Sequence, residues 1–298
     1  MKRAWLVTNE FLNTEKYSEL NMWLVRAAQL YNIELVVKTN AELLVDLSDD
    51  SAIRNIVEIE RPEFVLFWDK DIRLASFLES LSIKVYNSSK AIEICDNKAM
   101  THIALNQKNI KMPKTIIAPM TYPNIGFTNY DFVEVMKKQL TYPIVVKECF
   151  GSFGQQVYLA HDDFELMECM KKIGAKPFLF QEYVKSSFAR DIRLNVVGDQ
   201  VVATMYRYSD HGDFRANISN GGKMKQFEPT NQQKQLAIDC VKELGLDFAG
   251  VDLLFGENEE PIVCEVNSNA HFKNIYDCTG INVAEHIMGY ICKKQNLL

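Results

Sequence analysis

Hydrophobic and polar positions follow two rhythms over the first 89 residues. Short apolar runs with β-branched and aromatic residues occupy 4–8, 34–38, 64–68 and 84–87. Between the first two runs, Leu20, Trp23, Leu24, Ala27 and Leu30 recur at helical spacing. The runs predict strands, and the wider recurrence predicts a helix with one buried face. Alternating strand and helix predicts a small parallel, Rossmann-like sheet. No G-x-G-x-x-G motif occurs, so nothing marks this sheet as a dinucleotide binder.

The pattern changes at Asn87-Ser88-Ser89, which offers a helix N-cap. A helical connector carrying Asp96-Asn97-Lys98 then runs to about residue 107, and Pro113 ends it. Strands are predicted over 142–147, 156–160 and 178–183. An amphipathic helix lies between the last two, with Phe164, Met167, Met170 and Ile173 as its apolar stripe. Lys185-Ser186-Ser187 reads as a loop and sets a domain break near Val184. Strands over 192–197 and 200–207 follow, joined by Gly198-Asp199, a tight hairpin signal. A polar, Gly-rich stretch occupies 209–225, then a helix is predicted over 231–244. Two acid-bearing strands and a closing helix over 282–294 complete the pattern. The expected division is 1–89, 90–184 and 185–298.

The 298 residues are 47% apolar and 24% charged, which predicts a soluble globular protein of two or three domains. A net charge of -6 argues against nucleic acid or anionic membrane as partner. No apolar run is long enough to span a bilayer. The basic start reads as the first strand and not as a signal peptide. Seven scattered cysteines without C-x-x-C, and five dispersed histidines, predict a reduced cytoplasmic protein without a zinc site.

The chemistry concentrates in a few segments. Gly250-Val251-Asp252-Leu253-Leu254 and Val263-Cys264-Glu265-Val266-Asn267 are strands that carry one acid each. Glu265 and Asn267 share a face, being two residues apart. An in-register hairpin over the break at 256–261 sets Asp252 opposite Glu265. Two carboxylates and an amide oxygen form an all-oxygen site that suits Mg²⁺. Cys264 is expected on the opposite face as a small core residue. Upstream, the strand ending in Lys147 is followed by Gly151-Ser152-Phe153-Gly154. The lysine is a compact cation for a phosphate, and the glycines let backbone N–H groups approach phosphate oxygens. The strand through Gln181-Glu182-Tyr183-Val184 could offer backbone groups to an adenine edge. Arg190-Asp191-Ile192-Arg193, Arg207 and Gly212-Asp213-Phe214-Arg215-Ala216-Asn217 suit carboxylate or phosphate recognition. Each of these taken singly also reads as an ordinary strand end or solvated loop.

Taken in order, Lys98, Lys147, the 151–154 loop, Gln181 to Val184, Arg190 to Arg193, the 212–217 segment, Asp252 and Glu265-Val266-Asn267 closely resemble the ATP-grasp superfamily. Within it they resemble the RimK-type amino-acid (α-L-glutamate) ligases. The resemblance runs from about residue 87 to the end; the first segment matches only in its βα pattern and size. It implies a mixed α/β (α+β) ATP-grasp fold with an N-terminal Rossmann-like pre-ATP-grasp domain, and ATP held between the other two domains. It implies that Lys98 and Lys147 hold ATP phosphates, with Gly151, Ser152 and Gly154 in the lid above them. Glu182, Tyr183 and Val184 would meet adenine, Asp191 the ribose, and Arg215, Ala216 and Asn217 the triphosphate. Asp252, Glu265 and Asn267 would hold Mg²⁺, two ions, with Mn²⁺ as a substitute. Arg215, Lys147 and Arg193 are the implied catalytic cations, and Arg193, Arg207, His271 and Asn269 the implied substrate contacts. The implied reaction is amide formation through an acyl phosphate, adding an amino acid such as glutamate to an amine, peptide or protein acceptor. A homo-oligomer is implied as well.

The turn after the metal set reads Asn267-Ser268-Asn269-Ala270-His271-Phe272-Lys273-Asn274, where RimK typically has Ser-Ser-Pro-Gly. With Thr279-Gly280 it looks more like the LysX branch, which joins an amino acid to the C-terminal Glu of a small carrier protein. This segment is expected as a loop beside the phosphates. His271 reads as a surface histidine that could also contact a substrate carboxylate. A LysX-like ligase and an ATP-grasp phosphotransferase are the alternatives.

Overall fold

The computed structural model describes residues 1–151, 154–218 and 221–297. The first sheet is built from β1 (Lys2–Thr8), α1 (Glu15–Gln29), β2 (Ile33–Thr39), α2 (Ser51–Glu60), β3 (Val65–Phe67), α3 (Ile72–Ser80) and β4 (Val85–Tyr86). Its strands are parallel in the order β2-β1-β3-β4, as the alternating pattern predicts. Period-two alternation splits β1 between two cores. Ala4 and Leu6 join α1, while Trp5 and Val7 join α2 and α3.

Two helices follow, α4 (Ser89–Asp96) and α5 (Lys98–Asn106). The expected single connector is thus broken at Asn97, whose backbone is extended. The physical reason is capping. Ser88 accepts the Ala91 N–H at 3.3 Å, and Asn97 accepts the Ala99 N–H at 3.1 Å. An Asn side chain that serves an N-cap favours a new helix over continuing the old one. Lys98 becomes the first residue of α5.

The second sheet comes from β5 (Thr115–Ile117), α6 (Asp131–Lys137), β6 (Ile144–Glu148), β7 (Val157–Ala160), α7 (Asp163–Ile173) and β8 (Phe178–Glu182). It is antiparallel in the order β5-β8-β6-β7. The stripe of α7 differs from expectation. Leu166, Met170 and Ile173 are buried, whereas Phe164 is 74% exposed. Asp162 caps the helix by accepting the Glu165 N–H, which sets its phase. Leu166, Met170 and Ile173 then fall at i, i+4 and i+7 on the sheet side.

The third sheet comes from β9 (Arg190–Val197), β10 (Gln200–Tyr208), β11 (Lys223–Gln226), α8 (Asn231–Glu243), β12 (Phe248–Phe255) and β13 (Pro261–Asn267). Its order is β11-β10-β9-β12-β13, all antiparallel. β11 lies inside the stretch expected as polar coil, held by pairing with β10 and not by its own composition. Ile192, Leu194, Val196, Ala249, Val251 and Leu253 pack on α8. The intervening residues, Asp191, Arg193 and Asp252 among them, therefore face the other way. Part of that face is covered by α9 (Lys273–Thr279) and α10 (Val283–Lys294), which pack with α1 in one core. The helix α9 replaces the loop expected over 272–274. Phe272 is fully buried against Trp68 and Trp23, with ring centroids 5.7 and 6.1 Å away, and this anchors the helix start.

Buried Asn87 ties the first sheet to the third. Its amide donates to the Phe248 and Ser268 carbonyls, each at 3.0 Å, and accepts the Asp247 N–H at 2.7 Å. A satisfied buried amide is directional, so it fixes how the parts meet along the cleft. No helix is long and apolar enough to cross a membrane among the described residues.

Candidate active site

The three sheets surround a cleft of about 480 Å³. Its floor is the exposed part of the third sheet. Asp252 pairs with Glu265 across β12 and β13 as expected, but the hairpin is not in register throughout, because Phe255 pairs with Pro261. The register then shifts, since Leu253 pairs with Val263. Cys264 is the extra residue of a bulge. That corrects its expected place in the core on the opposite face. Cys264 is half-buried and lines the cleft, 3.9 Å from Lys147 Nζ, and burial pushes its thiol up to about 11. A strict two-residue alternation could not show this.

A charged lattice occupies the same floor. Arg193 donates to both Asp252 oxygens, at 2.7 Å from Nη2 to Oδ2. Arg207 donates to Asp191 at 2.6 Å and lies 3.0 Å from Asp252 Oδ2. Asp252, Arg207 and Asp191 are all buried. Burial would raise the Asp252 carboxyl pKa, but the two guanidinium groups outweigh it and hold it below the usual range. Burial wins at Asp191, which is raised despite Arg207. Arg207 is raised further by its two acids against the cost of burial. Arg193 and Arg207 therefore reach the cleft wall with donors already facing carboxylates.

Lys147, on β6, is 7% exposed and makes no ion pair among the described residues. Lys98 donates to the Gly151 carbonyl at 3.2 Å and stands 4.0 Å from Glu265. Arg215 donates to the Gly154 carbonyl at 2.8 Å and pairs with Asp213 at 2.8 Å. The third sheet thus contacts the loop that follows β6. Ser152 and Phe153 lie outside the described residues. Gly222 passes so close that an added Cβ would sit 2.4 Å from the Ala216 carbonyl oxygen. Ala216 and Asn217 line the cleft beside Arg215.

Glu182, Tyr183 and Val184 leave the end of β8 into the cleft. The Glu182 N–H is engaged by the Lys114 carbonyl, and the Val184 carbonyl accepts from Ser187. Beside them is His102, which the sequence reading did not single out. It is buried, contacts Gln181 at 3.3 Å, and has an unpartnered Nδ1. Burial, then Lys147 and Lys98, push its pKa down to about 4.

Asp252, Glu265 and Asn267 all line the cleft. Their donor set is oxygen only, and the Asn267 amide nitrogen is buried without a partner. A carboxylate accepts at about four lone-pair sites, so Asp252 retains capacity beyond its arginine bonds. The set fits a hard divalent cation. No three His, Cys, Asp or Glu converge on a metal site among the described residues.

Residues 95–291 match the model of the RimK-like ATP-grasp domain. The chain belongs to the RimK-like ATP-grasp family. It is 35% identical over 208 residues to an uncharacterised protein of Mycoplasma pneumoniae, covering 69% of this chain and 72% of that one. It is 35% identical over 223 residues to human N-acetylaspartylglutamate synthase A, covering 74% of this chain and 56% of that protein. Its fold matches D-alanine–D-alanine ligase from Bacillus anthracis solved with ATP, with a TM-score of 0.72, 17% identity, and 99% and 98% of the two chains covered. This RimK-like protein is an ADP-forming ATP-grasp ligase of the carboxylate–amine class, a family that uses ATP with Mg²⁺.

The rest of the RimK-like cleft faces the first sheet. Lys16, Tyr17, Trp68 and Asp69 line it there, none of them singled out from sequence. They meet Asn269 and His271 from the turn after β13. His271 is not a surface histidine. Both ring nitrogens are shielded from solvent, and the Lys16 backbone is the polar group against the ring. Burial, then Lys16, push its pKa down to about 4. In the 272–274 run, Phe272 is core and Lys273 pairs with Asp277 at 3.1 Å, leaving Asn274 on the cleft.

Proposed function

We propose that this ligase joins a carboxylate to the amino group of an amino acid such as glutamate, through an acyl phosphate. The observation that carries the reading is Lys147, a buried ammonium on the cleft wall without an ion-pair partner among the described residues. A buried cation of this kind calls for an anion supplied from outside. Lys98, at the N-terminus of α5, and Arg215, beside the 151–154 loop, add positive potential to the same region. A triphosphate answers that potential. The Val184 backbone is offered to an adenine edge, and Tyr183 lies beside it.

In the first step a carboxylate oxygen bonds to the γ-phosphorus of ATP, and the bond to the bridging oxygen breaks, releasing ADP. In the second, the amine nitrogen bonds to the acyl carbon, inorganic phosphate leaves, and the nitrogen loses a proton. The first step brings a carboxylate against a triphosphate, and the second leaves negative charge on the departing phosphate. The chain's contribution is to position the groups and offset that charge with Lys98, Lys147 and Arg215. Asp252, Glu265 and Asn267 would hold Mg²⁺, which supplies charge neutralisation at the phosphates. Two ions, with Mn²⁺ as a substitute, belong to the same reading. Arg193 and Arg207 act through Asp252, as groups that hold it ionised and oriented. The names of the human relative and of beta-citrylglutamate synthase B support glutamate as the amine. We also propose division at 1–89, 90–184 and 185–298, a homo-oligomeric assembly, and a reducing cytoplasmic setting suited to seven free cysteines.

The test is ADP release from Mg-ATP over a panel of carboxylic acids and amino acids, with and without hydroxylamine. Hydroxylamine traps acyl phosphates as hydroxamates. ADP release that depends on one carboxylate and yields its hydroxamate supports the ligase reading. ADP release without hydroxamate overturns it in favour of phosphotransfer or hydrolysis.

A further inference from the structure

The end of the cleft under the first sheet carries a charge that the nucleotide chemistry does not use. Asp69 follows β3 and is 6% exposed. Its carboxylate accepts the Lys70 N–H at 2.7 Å and the Asn9 amide at 3.2 Å to each oxygen. Both donors are neutral. The Lys70 ammonium is paired with Asp96 and assists the Asp69 carboxylate only from beyond ion-pair range. Among the described residues no cation forms an ion pair with Asp69. Burial accordingly raises its carboxyl pKa, the response of an anion short of compensation.

Asn269 stands against the same loop. Its Nδ2 donates to the Asp69 backbone carbonyl at 2.8 Å. Only the nitrogen of an amide can donate, so this bond fixes which way the group points. It leaves Oδ1 buried without a donor. The wall thus presents a carboxylate without an ion-pair partner among the described residues and an unsatisfied amide oxygen, on two residues that both line the cleft. Their complement is a group that is cationic and donates several hydrogen bonds.

We propose that Asp69 and the Asn269 Oδ1 bind the ammonium group of the amine substrate, an amino acid, before it reacts. The proposal rests on the ligase reading above and assigns the amine to the first-sheet side of the cleft. Trp68, stacked on Phe248 with centroids 5.7 Å apart, holds the Asp69 loop against the third sheet. An amino acid seated there approaches the phosphate region past Asn267 and Glu265.

The experiment compares wild type, Asp69→Asn and Asn269→Ala with L-glutamate as the amine and the carboxylate selected by the hydroxamate panel. Asp69→Asn keeps size and removes charge. Hydroxylamine is uncharged at mildly alkaline pH and needs no counter-charge, so hydroxamate formation reports activation alone. The expected result for Asp69→Asn is a KM for glutamate raised about 30-fold or more, with the KM for ATP and the hydroxamate rate unchanged. Asn269→Ala raises the same KM about 5-fold or more through loss of one acceptor. An unchanged KM for glutamate in both variants overturns the assignment. So does a parallel loss of hydroxamate and amide, which would give Asp69 a structural role. A wild type that forms hydroxamate but no glutamate amide rejects this amine at this site. A wild type that forms no hydroxamate with any carboxylate removes the ligase reading itself, and the proposal with it.

Discussion

Asp252 and Glu265 face each other across one hairpin, yet their substitutions should differ in what they cost the fold. The Asp252 side chain is 6% exposed and meets two guanidinium groups that are themselves buried, at 12% and 5% exposure. Asp252→Asn removes the charge and leaves Arg193 without its carboxylate partner, while Arg207 keeps Asp191. Breaking a buried pair in this manner costs about 3–5 kcal/mol. That is a large share of a domain's ordinary stability of roughly 5–15 kcal/mol. Glu265 is 30% exposed and its only ion pair among the described residues is with Lys98 at 4.0 Å. Glu265→Gln should therefore cost no more than about 1 kcal/mol. Both should lose turnover, by about 1,000-fold or more, if both carboxylates hold Mg²⁺. Glu265→Gln is then the clean test of the metal assignment, because its folding is preserved. The assay is urea unfolding followed by tryptophan fluorescence, paired with ADP release across a Mg²⁺ titration. Wild-type activity and Mg²⁺ dependence in Glu265→Gln would refute the metal assignment. Equal loss of stability in the two variants would refute the burial argument.

Three other outcomes are expected. Lys147→Met should lose the thermal stabilisation that Mg-ATP gives wild type, about 2.7 kcal/mol at 100 times Kd, as read by differential scanning fluorimetry. Retention of that shift would remove Lys147 from the nucleotide site. His102 should make the fold acid-sensitive. Its folded pKa of about 4 lies below the usual 6.5, so the unfolded chain binds the proton first. Stability is complete above pH 6.5 and is lost as pH falls toward 4, by up to about 3 kcal/mol for this group. His102→Gln should flatten that part of the stability profile, measured by urea unfolding at several pH values; an unchanged slope would refute it. Gly222→Ala should push the added methyl into the Ala216 carbonyl, costing about 1–3 kcal/mol and raising the KM for ATP. A variant with both values unchanged would show that the Ala216 carbonyl gives way freely.

The sequence by itself determined the local features. Period-two alternation set Glu265 and Asn267 on one face. The βα rhythm set the parallel first sheet. Such patterns follow from backbone geometry over a few residues, so a linear reading reaches them. It failed where one residue changes phase. A bulge turned Cys264 into the cleft, and a cap rotated α7 so that Phe164 points outward. Only the tertiary structure decided who meets whom. The arginines that hold Asp252 come from separate strands, and Asn269 reaches Asp69 across 200 residues of chain. His102, Asp69 and His271 gain their character from burial beside those distant groups. A side chain's charge cost depends on solvent exclusion and on partners, and both are created when the sheets close around the cleft.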